Sequence, residues 1–293
     1  MFSVATFNVK DLLVPADRES GWWKAKLAEI ASRIRRSDAD VVALQEIGGQ
    51  PALDALLEVL GAPWRGIAAP SDERGIACAV IARAELRTTV HPRVTLDYPR
   101  FSQIDPPPFG ERLSLRRPFV EAEVSTAFGQ LSVLCIHLKS NLPMFERTAD
   151  GSFLPAEGGR ARAEAHVRSL TLRTAEALYV RGLVDVTLTR CPHVMVAGDF
   201  NDGPTSLPVS LIRGDAEHTL TSATRLIPQH KLYTAIFRDK PQMLDHLLLS
   251  PALDAHLQSA DVDLEGLRDH GPLDPTASPS IDSDHALVIA RFA

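Results

Sequence analysis

The chain has 293 residues, 45% hydrophobic and 23% charged, with a net charge of −6 at pH 7. That composition excludes a disordered chain and a polycation that coats nucleic acid without discrimination. No apolar run reaches the ~20 residues needed to cross a bilayer, so no membrane attachment is expected. The segment Met1 to Phe7 lacks the basic lead and cleavage site of a secretory signal, and a cytoplasmic location is expected. Cys78, Cys135 and Cys191 are scattered and show no Cys-x-x-Cys spacing, which suits reduced buried thiols rather than zinc ligands.

Residues 2–7 read as a short strand that closes on Asn8-Val9-Lys10. Trp23, Leu27, Ile30 and Ile34 recur at helical steps, so an amphipathic helix follows, ending near residues 36–38. Residues 40–44 form the next strand, and Gln45-Glu46 stands at its exit. A second helix is predicted over 52–60, with Pro51 as its first residue and Gly61 as its stop. Residues 64–94 read as strands, of which 76–81 is apolar throughout and so belongs to a sheet covered on both faces. Pro99, Pro106, Pro107 and Pro108 mark residues 97–117 as a long loop, ending in Arg112, Arg116 and Arg117. Arginines beside a pocket hold phosphate through forked donors; the same cluster is equally a solvated face.

Strands at 119–124 and 131–136 follow, and the second delivers His137-Leu138-Lys139-Ser140-Asn141. After a loop over 142–159, a long helix is predicted over 160–186, with Val167, Leu170, Thr174 and Leu178 as its buried stripe. Arg160, Arg162, Arg168 and Arg173 fall among its polar positions and read as a solvated face. The strand at 193–197 climbs to Gly198-Asp199-Phe200-Asn201-Asp202-Gly203. In extended chain, residues two apart point the same way, so Asp199 and Asn201 emerge side by side, and Gly198 leaves room for close approach. Residues 207–230 are mixed. A strand at 242–250 carries Asp245 and His246 near its start, and a buried carboxylate there needs a partner. Residues 262–280 are irregular, and the last strand is entered through Asp284-His285.

No linker, repeat or low-complexity tract divides the chain, so a single domain over 1–293 is expected. Strands carry most of the core, and strand–helix alternation fails between Trp64 and Ile136. The predicted fold is therefore α/β: two mainly antiparallel sheets packed face to face with helices outside, a four-layer α-β-β-α sandwich. Polar groups recur at the strand ends: Asn8, Glu46, His137, Asp199 with Asn201, Asp245, and Asp284 with His285. Their recurrence predicts one convergent site. Hard oxygen donors without cysteine favour Mg²⁺, with Mn²⁺ or Ca²⁺ as alternatives. Carboxylates, amides and histidines around such an ion suit phosphoester hydrolysis.

The ordered set Phe7-Asn8-Val9, Leu44-Gln45-Glu46, Ile136-His137-Leu138-Lys139-Ser140, Gly198-Asp199-Phe200-Asn201, Leu244-Asp245-His246 and Ser283-Asp284-His285 resembles the endonuclease/exonuclease/phosphatase superfamily. Its members include deoxyribonuclease-like enzymes, abasic-site endonucleases, inositol-phosphate 5-phosphatases and bacterial sphingomyelinases. The resemblance implies that Glu46 is the principal metal ligand, with Asn8 and Asp284 near the ion. Asp199 would orient or deprotonate the attacking water, and Asn201 would hold the scissile phosphate. His285, oriented by Asp245, would contact a phosphate oxygen, and His137 would stand near the leaving group, its own acidic partner unidentified. Where some members place an acid two residues after the first asparagine, this chain has Lys10, which argues against a ligand there. Arg116, Arg117, Lys139 and Asn141 are the expected substrate contacts.

His91, His166, His193, His218, His230, His256 and His270 match no motif and read as surface or structural residues; His246 reads as a packing residue. The expected activity is that of a metal-dependent phosphodiesterase, a nuclease acting on DNA or RNA, in a monomeric protein. The alternatives are a phosphatase or phosphodiesterase for a small metabolite or lipid headgroup, and a non-catalytic binding module on the same scaffold.

Overall fold

The computed structural model describes residues 1–96, 113–148, 150–154, 157–215, 219–269 and 280–293. In chain order the first strands are β1 (Phe2–Leu12), β2 (Val41–Ile47), β3 (Arg65–Ala68), β4 (Ala77–Ala82), β5 (Arg87–His91), β6 (Phe119–Thr126) and β7 (Gly129–His137). They are followed by β8 (His193–Asp199), β9 (Thr221–Ser222), β10 (Ala235–Phe237), β11 (Lys240–Gln242), β12 (Asp245–Leu249), β13 (Leu257–Asp263) and β14 (Leu287–Phe292). The helices are α1 (Gly21–Ser37), α2 (Gly49–Leu60), α3 (Gly158–Leu188), α4 (Leu207–Arg213) and α5 (Pro251–Asp254).

Two six-stranded sheets form, in the orders β13-β14-β1-β2-β4-β3 and β5-β6-β7-β8-β12-β9, and β10 pairs β11 as a separate hairpin. Each six-stranded sheet is antiparallel except for one pair: β1 with β2, and β7 with β8. Both parallel pairs need a crossover, and the long helices α1 and α3 supply them.

The absence of polar alternation in these strands has a direct cause. Along β1, β2 and β4, Val4, Val41, Ala43, Cys78 and Val80 face a core shared with the second sheet, with α3 on its far side. Their neighbours Ala5, Phe7, Val42, Leu44, Ala79 and Ile81 pack beneath α1 and α2. Both faces are dry, so the runs are mostly apolar. This is the expected four-layer sandwich.

Local details depart from the sequence reading. Helix α2 begins at Gly49, ahead of Pro51. In α3 the buried residues are Ala165, Ser169, Leu172, Arg173, Glu176, Val180 and Val184 among others, whereas Val167, Leu170 and Leu178 are exposed. The inward face combines the apolar Leu172, Ala175, Val180 and Val184 with the polar anchors Arg173 and Glu176. All three cysteines are free and buried. No helix among the described residues is long and apolar enough to cross a membrane. Arg112, His218 and His270, with most of the proline-rich loop, lie outside the described residues.

Candidate active site

The site forms where the two parallel strand pairs end. Gly198 makes the central approach possible: a Cβ there would lie 2.0 Å from the Ile136 carbonyl oxygen, so β8 can run against β7 only with glycine at this position. Asp199 then stands in register with His137 on one side and Asp245 on the other. Its Oδ1 accepts the Asn201 N–H at 2.8 Å, and its Oδ2 accepts Asn8 Nδ2 at 3.0 Å and Asn201 Nδ2 at 3.2 Å. Asn201 reaches back because its backbone is left-handed, φ +53°, a conformation asparagine tolerates. Burial and the nearby Asp245 carboxylate push the Asp199 carboxyl up to about 7, against the pull of His285 and the donated hydrogen bonds. A carboxylate so poised can take a proton from water near neutrality.

Asp245 is fully buried and its Oδ2 lies 2.7 Å from His285 Nδ1. His285 Nε2 is 3.9 Å from Asp199 Oδ2. Burial alone would lower the imidazole's pKa, but the Asp245 and Asp199 carboxylates outweigh it and hold His285 well above its ordinary range. That balance favours the imidazolium, with Nε2–H as a donor. Asp199, Asp245 and His285 present ligand-type atoms within 4.8 Å of one another and could hold a cation. The bond between Asp245 and His285 already commits one nitrogen, however, and suits an oriented acid better.

His137, which the resemblance places near the leaving group, lies between two carboxylates. It is buried, its Nε2 lying 3.5 Å from Asp199 Oδ2 and 4.0 Å from Glu46 Oε1. Its Nδ1 has no hydrogen-bond partner among the described residues. Burial, then the nearby Arg117 charge, holds this ring well below its ordinary pKa. The ring adjoins both the Asp199 and the Glu46 carboxylates.

Glu46, on β2, is also left-handed at φ +63° and accepts the Asp11 N–H at 3.0 Å through Oε2. Burial and the Asp11 and Asp284 carboxylates push its pKa up. Mutual repulsion among half-dry carboxylates is what a hard divalent cation relieves, so Glu46 and Asp284 fit a metal by donor chemistry. Asn8 Oδ1 accepts the Lys10 N–H at 3.0 Å and its Nδ2 donates to Asp199, which ties the end of β1 to the end of β8. Lys10 Nζ lies 2.6 Å from Asp284 Oδ2, placing a fixed positive charge where the sequence reading saw only a missing ligand.

The four expected substrate contacts divide. Arg117 is buried, its Nε 3.1 Å from Asp72 Oδ2, and it donates to the His137 and Leu138 carbonyls. Lys139 is buried, with Nζ on the Ser140 and Leu142 carbonyls and on Ser169 Oγ. Both hold the β7 exit in shape and neither lines the open cavity beside the site. Arg116 is half-buried, and its N–H donates to Glu176 at 3.3 Å. Asn141 alone lines the cavity, in company with Lys10, Asn201, Asp284 and His285.

Sequence reasoning missed the supports from α3. Glu176 is fully buried and accepts the Lys139 N–H at 2.6 Å as well as that of Arg116. Arg173 Nε lies 2.8 Å from Asp202, in the turn that carries Asn201. A polar pair three apart in a mixed helix carries no periodic signal. His166, set aside by sequence, lines the cavity; His246 packs as expected, its Nε2 2.9 Å from the Asp202 carbonyl.

A two-sheet sandwich with carboxylates, amides and an acid-paired histidine at its parallel strand ends defines a class of phosphoester hydrolases. The chain belongs to the Endonuclease/Exonuclease/phosphatase family, whose model matches residues 5–285. It is therefore a metal-dependent phosphoric ester hydrolase. Similar solved structures span both chains almost entirely. A Neisseria 3′ phosphatase, NExo, bound to a product DNA hairpin is 19% identical with a TM-score of 0.62, covering 100% of each chain. An AP endonuclease from Archaeoglobus fulgidus is 14% identical with a TM-score of 0.59, covering 100% of this chain and 99% of its own. The human Nocturnin catalytic domain is 18% identical with a TM-score of 0.59, covering 100% and 94%. No curated protein matches the chain.

Proposed function

We propose that the chain hydrolyses phosphodiesters by in-line attack of water, and that the carrying observation is the His285–Asp245 pair at 2.7 Å facing Asp199 beside an open cavity. Glu46, Asn8 and Asp284 would hold the ion, with Mg²⁺ the best match to an oxygen donor set. When bound, a divalent cation neutralises the phosphoryl oxygens and favours ionisation of nearby water.

The protein's own groups supply the rest. Asp199 accepts the proton of the attacking water. Asn201 donates its amide hydrogens to the Leu138 carbonyl, at 3.1 Å, and to Asp199, so it fixes the carboxylate's direction. The His285 imidazolium donates Nε2–H to a phosphoryl oxygen as negative charge develops, and Asp245 keeps it charged and aimed. Lys10 adds positive charge at the mouth.

Two substrate classes remain in play. Nucleic acid is supported by the similar proteins whose descriptions name DNA or an AP endonuclease. A short phosphoester with an apolar arm is favoured by the burial of Arg117 and Lys139 and by the apolar cavity wall. Asp199→Asn and His285→Ala proteins should fold yet lose at least ~100-fold in turnover of a generic phosphodiester, since each removes an acid–base group. Near-native turnover in either folded variant rejects the assignment. Parallel assays on plasmid DNA, RNA, a generic diester and a generic monoester separate the substrate classes.

A further inference from the structure

A cavity of about 830 Å³ opens beside Lys10, Asn201, Asp284 and His285. Its far walls come from residues 166–173 of α3, the start of α4 and the β10–β11 hairpin. Leu142, Val167, Leu170, Leu207 and Phe237 line it and are 53%, 62%, 41%, 58% and 40% exposed. Single exposed apolar side chains are ordinary, but a group converging on one cavity next to an ionised centre marks a binding surface.

Charge argues in the same direction. A polynucleotide path needs lysines and arginines turned toward successive phosphates. The lysine and arginine among the lining residues are already committed: Lys10 Nζ lies 2.6 Å from Asp284, and Arg173 Nε lies 2.8 Å from Asp202. The scissile phosphate has cationic company at the His285 end, while the walls beyond offer apolar surface edged by the uncharged Asn141 and Gln242.

We propose that this cavity holds an alkyl arm of a phosphoester, joined to the phosphate that sits at His285, rather than the next nucleotide of a strand. The proposal rests on the phosphoesterase reading above and names its substrate class. A free amphiphile and a bilayer lipid present the same chemistry.

The test is calorimetric binding of methyl-, butyl- and octylphosphonate in Mg²⁺, to the native chain and to a Val167→Asn, Leu170→Asn double variant, which removes apolar surface without adding charge. Both positions are exposed, so the variant should fold, which circular dichroism checks. A buried methylene strengthens binding by up to about fourfold. Affinity of the native chain should therefore tighten at least ~10-fold from methyl to octyl, and the variant should show a flat series with methylphosphonate binding unchanged. A flat series in the native chain overturns the proposal, as does an undiminished gain in the variant. A single-stranded oligonucleotide that displaces octylphosphonate and loses affinity in the same variant also overturns it, because the walls then belong to nucleobases.

Turnover of methyl 4-nitrophenyl phosphate reports on the parent reading separately. Its absence in both proteins sinks the phosphodiesterase assignment, while the phosphonate series still decides the cavity. Octyl 4-nitrophenyl phosphate offered as free monomer or within phosphatidylcholine vesicles tells which source feeds the cavity.

Discussion

At the scale of single residues, the chain repeatedly buries a carboxylate and then surrounds it with donors. Glu121 on β6 is buried far from the cavity, yet Ser132 Oγ donates to it at 2.7 Å, His91 Nε2 lies 3.0 Å away and Arg190 caps its Oε1. Burial alone would raise its pKa, but the His91 and Ser132 hydrogen bonds and the Arg190 charge hold it down to about 2. In the unfolded chain the same carboxyl protonates near its ordinary value, so the stabilisation is complete above that value and is lost as pH falls toward 2. Glu121→Gln should cost about 2–3 kcal/mol at pH 7, with the gap to the native protein narrowing below about pH 4.5 in urea titrations. A gap that is constant across pH would mean that packing, not charge, holds this position. Asp199 runs the other way. Burial, together with the Asp245 carboxylate, raises its pKa.

At the scale of elements, α3 is the clamp. Glu176 receives N–H groups from the segments entering β6 and leaving β7, and Arg173 reaches the turn after β8. Removing both acceptor oxygens strands two half-buried donors, at about 1–3 kcal/mol each. Glu176→Leu should therefore cost about 3–5 kcal/mol of unfolding free energy, and Glu176→Gln, which keeps one acceptor, about 1–2. Equal costs in denaturant titrations would remove Glu176 as a clamp. The clamp also explains where sequence reading stopped. Strands with two dry faces announce themselves as apolar runs, and their polar exits stand out against that background. The facing of a long helix with arginines and glutamates all round does not, because its inward side mixes apolar residues with polar anchors to distant turns. Arg117 and Lys139 show the same limit: the sequence shows a cation near a motif, not the carboxylate or carbonyls that it contacts.

At the scale of the whole molecule, two sheets each place one parallel strand pair so that their exits meet, and the family's ordered motifs are those exits. The fold and the convergent residues were legible because strand ends are short, local signals repeated in a fixed order. The cavity was not, since its walls come from α3, α4 and a hairpin that meet only in three dimensions. In the proposed chemistry this convergence works through a metal held by oxygen donors. The direct measurement is the initial rate on a generic phosphodiester before chelation, after exhaustive chelation, and after return of Mg²⁺ or Mn²⁺, in the native chain and in Glu46→Gln. The expected rate is abolished by chelation, restored by the added ion, and reduced at least ~100-fold in Glu46→Gln at the same ion concentration. Undiminished turnover in thoroughly metal-free protein would contradict it.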